Sequence, residues 1–167
     1  MHTGVTGTAA RMGHRLTIAM TSWRAVVHWV DEQPDTVTLT VDVDSLHVVR
    51  GEGGVTPLSR ADKALVRSNA LKTLEQKRFP KITYRADVVE KHGDGYRLTG
   101  TLEIHGKRRD HTVEVRVDDL GDRWRVAGQS EVRQSEFGIK PYSMLLGAMK
   151  VVDEVGVSLT AEYRRDT

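Results

Sequence analysis

Seven histidines, 23 carboxylates and no cysteine bound the chemistry open to this 167-residue chain. Without a thiol, disulfides, thiolate metal sites and cysteine nucleophiles are excluded. His105 and His111 flank a turn with Asp110 beside them. Imidazoles facing across a turn can bind zinc or share a proton. A third ligand is not evident, and His92 would have to arrive from another loop, so no metal site is assigned. His14 and His28 read as polar positions at strand ends. Ser135, Glu136 and the Asp153-Glu154 pair match neither a nucleophile elbow nor an acid–base pair in their spacing. No catalytic residue is assigned.

Lys plus Arg number 25 against 23 Asp plus Glu, so the chain is close to neutral. Lys107-Arg108-Arg109 and Arg164-Arg165 could touch an anionic membrane or a lipid diphosphate, although short charge runs are commonly solvated turns and tails. The strands carry no alternation of basic and aromatic residues, and nucleic acid is not expected as a partner.

What would position any site is a set of β-strands. Residues 36–44 read TVTLTVDVD, with Val37, Leu39, Val41 and Val43 on one side. Residues 96–104 (YRLTGTLEI), 112–118 (TVEVRVD) and 155–161 (VGVSLTA) repeat the alternation of a half-buried strand. Weaker strands are expected over 14–20, 23–30, 81–89 and 123–132. Turn residues at 92–95, 106–110 and 119–122 link them as successive antiparallel hairpins. One helical insertion interrupts the series at 58–78. Ser59 with Asp62 three residues on is a capping pattern, Leu65 and Leu71 or Leu74 follow near helical spacing, and Asn69 could start a second short helix. Pro80 marks its end. The expected fold is all-β with a short helical insertion: about eight one-sided strands in an antiparallel meander can pack as a sandwich or close into an extended barrel. Residues 1–167 read as a single domain, without repeat or linker.

Several motifs, in order, resemble the YceI-like family. They are Phe79-Pro80-Lys81-Ile82-Thr83-Tyr84, then Gly100-Thr101-Leu102-Glu103-Ile104-His105-Gly106, then Ser135-Glu136-Phe137-Gly138-Ile139, and the acidic pair Asp153-Glu154 before Val155. Together they cover roughly the last 85 residues. The resemblance implies a lipocalin-like barrel around a polyisoprenoid or similar chain, with no catalytic residues and no cofactor beyond that lipid. Two departures stand out. Only a few residues precede Gly4, where the family has a full strand upstream of the His14 region, so a short first strand or an internal start at Met1 is expected. The turn at Gly106-Lys107-Arg108-Arg109 is also far more basic than the family's pattern.

On this reading, a ligand wall would include Leu39, Val41, Ile82, Tyr84, Leu98, Leu102, Val113, Val115, Trp124, Val126, Phe137, Val157 and Leu159. The same residues could instead fill a dry core. Tyr84, Tyr96 and Trp124 could offer polar handles to a head group. The irregular stretch 139–149 carries Tyr142, Met144, Leu145, Leu146 and Met149, a candidate flap at the barrel mouth or a helix packed against its end. The leading expectation is binding, carriage or storage of a polyisoprenoid, isoprenoid quinone or fatty-acid-like chain. An isomerase or hydrolase using the barrel as a pocket, and a protein-interaction module with a filled core, are the alternatives. A homodimer is compatible with the sequence. The first residues lack the apolar run of a secretory signal and the longest apolar segment, 144–149, is far short of the roughly 20 residues of a span. The expected location is the cytoplasm.

Overall fold

The computed structural model describes residues 1–164. Its elements are β1 (His2–Thr6), β2 (His14–Met20), β3 (Trp23–Val30), β4 (Gln33–Asp42), β5 (Leu46–Gly53), α1 (Arg60–Thr73), β6 (Lys81–His92), β7 (Gly95–Ile104), β8 (Lys107–Asp119), β9 (Arg123–Arg133), β10 (Ser143–Met144) and β11 (Met149–Arg164). All pairings are antiparallel, in the order β3-β4-β6-β7-β8-β9-β11-β1-β2-β5, with β10 added to β11. The fold is therefore all-β, as the periodicity predicts, and lipocalin-like, as the resemblance implies. β1 is the short first strand, and the basic pair Arg164-Arg165 lies partly outside the described residues.

Each of the eight expected strands has a counterpart, and the structure adds β1, β5 and the two-residue β10; two of the eight, β2 and β3, form one leg of a long bent hairpin. β2 continues into β3 through Thr21-Ser22, and β4 into β5 through residues 43–45. The two legs stay in register on both sides of the bend, Met20 opposite Leu46 and Trp23 opposite Val41. At the bend the Asp42 amide donates to the Ser22 carbonyl (2.9 Å) and the Thr21 amide to that of Ser45 (3.3 Å). One half of this ribbon joins β1 and the other joins β6. The hydrogen-bonded sheet thus curls into a half-barrel whose free edges are β3 and β5. Covalent continuity through the bend, not a ladder, brings its ends together. Such corners are how strands pass from one sheet layer to another.

The insertion forms one helix rather than an interrupted one. Ser59 accepts from the Asp62 amide while the Asp62 carboxylate accepts from the Ser59 amide, a capping box. Asn69 does not start a second helix; its side chain donates to the Tyr142 hydroxyl at 3.0 Å. Val66, Ala70, Leu71 and Leu74 pack on Ile18, Leu46 and Val48, whereas Leu65 is 60% exposed on the opposite side. The Arg67 guanidinium fixes the helix by donating to the Leu46 and Asp44 carbonyls. Leu74 also touches the second core, built from Tyr84, Ala86, Leu98, Leu102, Ile104, Phe137 and Ile139. Burying each such Leu, Ile or Phe contributes about 1.5–3 kcal/mol.

The basic turn expected over 106–110 is shorter than it reads. His105 and Gly106 (φ 53° and 70°) make a two-residue turn, and Lys107 to Asp110 already belong to β8. Glu103 and Arg108 are cross-strand partners joined at 2.6 Å. Among the described residues no helix is long and apolar enough to cross a membrane.

Candidate functional site

Cross-strand partners share a face of a sheet, so register identifies the inside of the curl. Val41 stands opposite Ile82, Leu39 opposite Tyr84, and Val37 opposite Ala86. Tyr84 and Leu102 are partners, as are Leu98 and Val113. The row continues through Val115, Gly128 and Leu159, through Val117, Val126 and Ala161, and through Ser130 and Val157. Because Tyr84, Ala86, Leu98 and Leu102 are buried, this whole apolar set faces inward.

The structure divides the expected wall in two. Tyr84, Leu98, Leu102 and Phe137 are 7%, 7%, 7% and 2% exposed and belong to the packed core. Leu39, Val41, Ile82, Val113, Val115, Trp124, Val126, Val157 and Leu159 lie on the same inner face but are only half-buried. Sequence reasoning left out the inner face of β3. There Trp23, Val27 and Trp29 are 39%, 40% and 42% exposed and stand opposite Val41, Val37 and Pro34. The signal was present in WRAVVHWV, but Val26 and Val30 on the other face blur its alternation.

Aromatic rings gather at one end. Trp29 stacks on Trp124 with centroids 5.7 Å apart, and Trp124 on Tyr163 at 6.1 Å. Trp29 comes from a free edge of the sheet, so this stack spans the curl.

Register places Lys91, Lys107 and Arg109 on the inner side of the strand ends, opposite Tyr96, Ile104 and Leu102. The Tyr84 hydroxyl donates to the carbonyls of Leu98 (2.9 Å) and His111 (3.2 Å), and burial pushes its pKa up to about 12. Tyr84 is therefore a structural tie rather than a free handle for a head group. His111 Nε2 and Ser130 Oγ lie 2.6 Å apart. Burial lowers the His111 pKa, partly opposed by the charge of Glu136. A serine bonded to an imidazole is the beginning of a nucleophile–base pair. No carboxylate is hydrogen-bonded to His111 to complete it among the described residues.

His105 does not face His111. Its ring bonds to the Phe137 carbonyl (3.3 Å) and the Glu75 carboxylate (3.0 Å), clipping the β7–β8 turn to the chain after α1. His92 lies against Glu114 on the outer face. No group of three His, Asp or Glu side chains able to hold a metal occurs among the described residues. The Asp153 carboxylate accepts from the Ser135 amide (2.8 Å) and hydroxyl (2.5 Å), a structural tie. Of two depressions of about 590 and 400 Å³, the first is lined by polar residues such as Glu114, Arg116 and Gln129 together with Val115 and Leu159, the second by Val26, Asp35, Thr36 and Arg85 among others.

The stretch expected as a flap is a short braced hairpin. Met144 pairs with Met149 and Ser143 with Lys150. Tyr142 is tied to α1 through Asn69. Leu145 and Leu146 are 55% and fully exposed at its tip. This tip adjoins the start of β11, whereas Tyr163 of the aromatic stack is near its end, roughly 45 Å along the strand.

Comparison with known proteins agrees with this architecture. The sequence matches the family model described as YceI-like domain over residues 1–163. The crystal structure of Burkholderia cenocepacia BcnA superposes with a TM-score of 0.70 at 18% identity, covering 97% of this chain and 95% of that one. The Campylobacter jejuni YCEI protein superposes with a TM-score of 0.67 at 14% identity, covering 90% and 85%. No curated protein sequence matches the chain.

Proposed function

This chain belongs to the YceI-like domain family, and from that premise we propose that it binds and carries a long apolar lipid along its inner face, without catalysis. The observation that supports this most is the half-buried apolar inner row. On β3, Trp23, Val27 and Trp29 are 39–42% exposed, and they stand opposite Val41, Val37 and Pro34. A soluble fold gains by covering such surface, at about 25 cal/mol per Å², and a flexible hydrocarbon covers it with little need for directional contacts.

Dimensions narrow the ligand class. β6 to β9 are 10 to 13 residues long, about 33–43 Å before tilt shortens the axial span. That length suits several isoprene units or a fatty-acid-like chain. A polyisoprenoid or an isoprenoid quinone is the preferred reading.

The test is organic extraction of the purified protein followed by mass spectrometry of the extract, with addition of a polyprenol to the lipid-free protein. A stoichiometric isoprenoid or fatty chain, or saturable uptake of polyprenol, supports the carrier. Folded protein that yields a clean extract and takes up no polyprenol overturns it.

A further inference from the structure

We propose that the β10–β11 hairpin is a membrane-docking tip, inserting Leu145 and Leu146 into the interfacial layer of an anionic bilayer while Arg11, Lys140 and Lys150 engage its head groups. Leu146 has no cover from the rest of the chain, and Met144 and Leu145 are 45% and 55% exposed. Met12, 55% exposed, stands on the turn that braces the tip. Contiguous apolar surface of this kind on a small domain marks an interaction site.

Backbone conformation gives a second observation. Leu145, Leu146 and Gly147 are consecutive left-handed residues, with φ of 52°, 53° and 91°. Glycine or asparagine adopts this conformation cheaply, whereas leucine is strained in it. The fold gains nothing from burying Leu146, which is fully exposed, and little from Leu145, which is 55% exposed. Their value lies outside the chain. The turn is nonetheless held firmly: the Ala148 amide donates to the Leu145 carbonyl (3.1 Å), and the Ala148 carbonyl accepts from the Ala9 amide (2.8 Å). Gly7 passes so close that a Cβ there would lie 2.4 Å from the Ala148 oxygen.

Charge selects the partner. Residues 1–30 and 137–152 contain no Asp or Glu. These segments meet here, since β1 pairs with the start of β11. Arg11, Lys140 and Lys150 are exposed, and none forms an ion pair among the described residues. Acids on adjoining elements have partners of their own: Glu52 with Arg50 (2.9 Å), Asp62 in the helix cap, Asp153 with Ser135 and Glu154 beside Arg133 (3.6 Å). Basic residues around an apolar tip suit an anionic lipid surface. A second copy would bring the same positive charges together, and a tip of a few side chains is small beside the roughly 800 Å² per partner of a stable protein interface.

The test uses the full chain with phosphatidylcholine vesicles, with and without phosphatidylglycerol. We expect co-sedimentation with the anionic vesicles, weakened at least tenfold by Leu145→Ser with Leu146→Ser and by Lys140→Glu with Lys150→Glu. Circular dichroism should show both variants folded, because all four side chains are exposed. The chain lacks cysteine, so Leu146→Cys can carry a single environment-sensitive fluorophore; its emission should shift to the blue on anionic vesicles. Three results would overturn the proposal: no binding by the wild type, binding undiminished in the serine variant, or a dye that stays in water while the protein sediments. Concentration-dependent self-association lost in the serine variant would also overturn it, in favour of a second copy.

Discussion

Trp29 of β3 and Trp124 of β9 stack at 5.7 Å although β4, β6, β7 and β8 all separate their strands in the sheet. The contact can form only because the sheet curls, so it reports closure of that end of the half-barrel. A double-mutant cycle with Trp29→Val and Trp124→Val should return a coupling of about 0.5–1.5 kcal/mol in urea unfolding. Additive effects would mean that the rings do not meet in solution.

Polar substitutions should separate core from wall. Leu102→Asp places a carboxylate in the packed core, at a position 7% exposed, and should cost about 3 kcal/mol or more of stability. Val27→Asp, at a position 40% exposed, should cost under about 1 kcal/mol and weaken polyprenol uptake at least fivefold. Thermal unfolding and fluorescence titration of both variants check this. Unchanged uptake by Val27→Asp would remove β3 from the wall.

His111 should make stability depend on pH in a defined window. Burial lowers its folded-state pKa, so the unfolded chain takes up a proton first as pH falls. Its contribution is complete above the ordinary histidine value of about 6.5 and is lost as pH drops through the folded-state pKa. The lowered carboxyl groups of Asp42, Asp62, Glu114 and Glu162 act below that range. Urea midpoints measured between pH 7.5 and 5 should fall for the wild type and stay level for His111→Gln.

Gly100 sits opposite Ala86 where β6 bulges, and a Cβ on it would come within 1.9 Å of the Arg85 carbonyl oxygen. Gly100→Ala should therefore destabilise by about 2–4 kcal/mol. At Gly156 the nearest atom to a new Cβ is 4.0 Å away, so Gly156→Ala should change stability by less than about 1 kcal/mol. Equal unfolding midpoints for the two variants would contradict the bulge geometry.

Much of this architecture is legible in the residues. Period-two alternation places β4, β7, β8 and β11, since it records which side of a strand is wet. Ser59 with Asp62 marks the start of α1 because the capping box is a local structure with a local signature. β5 and β10 escape notice: LHVVRGEG and SM lack clean alternation, and their pairing partners lie far away or across a strained turn. Asn69 suggests a second cap by type, but the side chain is drawn off by Tyr142, a contact 73 residues away.

The sequence by itself determined that the chain is an antiparallel β-fold of about eight strands with one capped helix, and that its inner rows are apolar. Only the tertiary structure decided that the β2–β5 ribbon bends at Thr21-Ser22, leaving β3 and β5 as free edges, and that Tyr84, Leu98 and Leu102 are packed while Val27 stays 40% exposed. It likewise turned the expected flap into a tip that points away from the chain. The physical reason is one of range. Alternation fixes which face of each strand is apolar, whereas coverage of that face depends on how far the sheet curls and what lies across it.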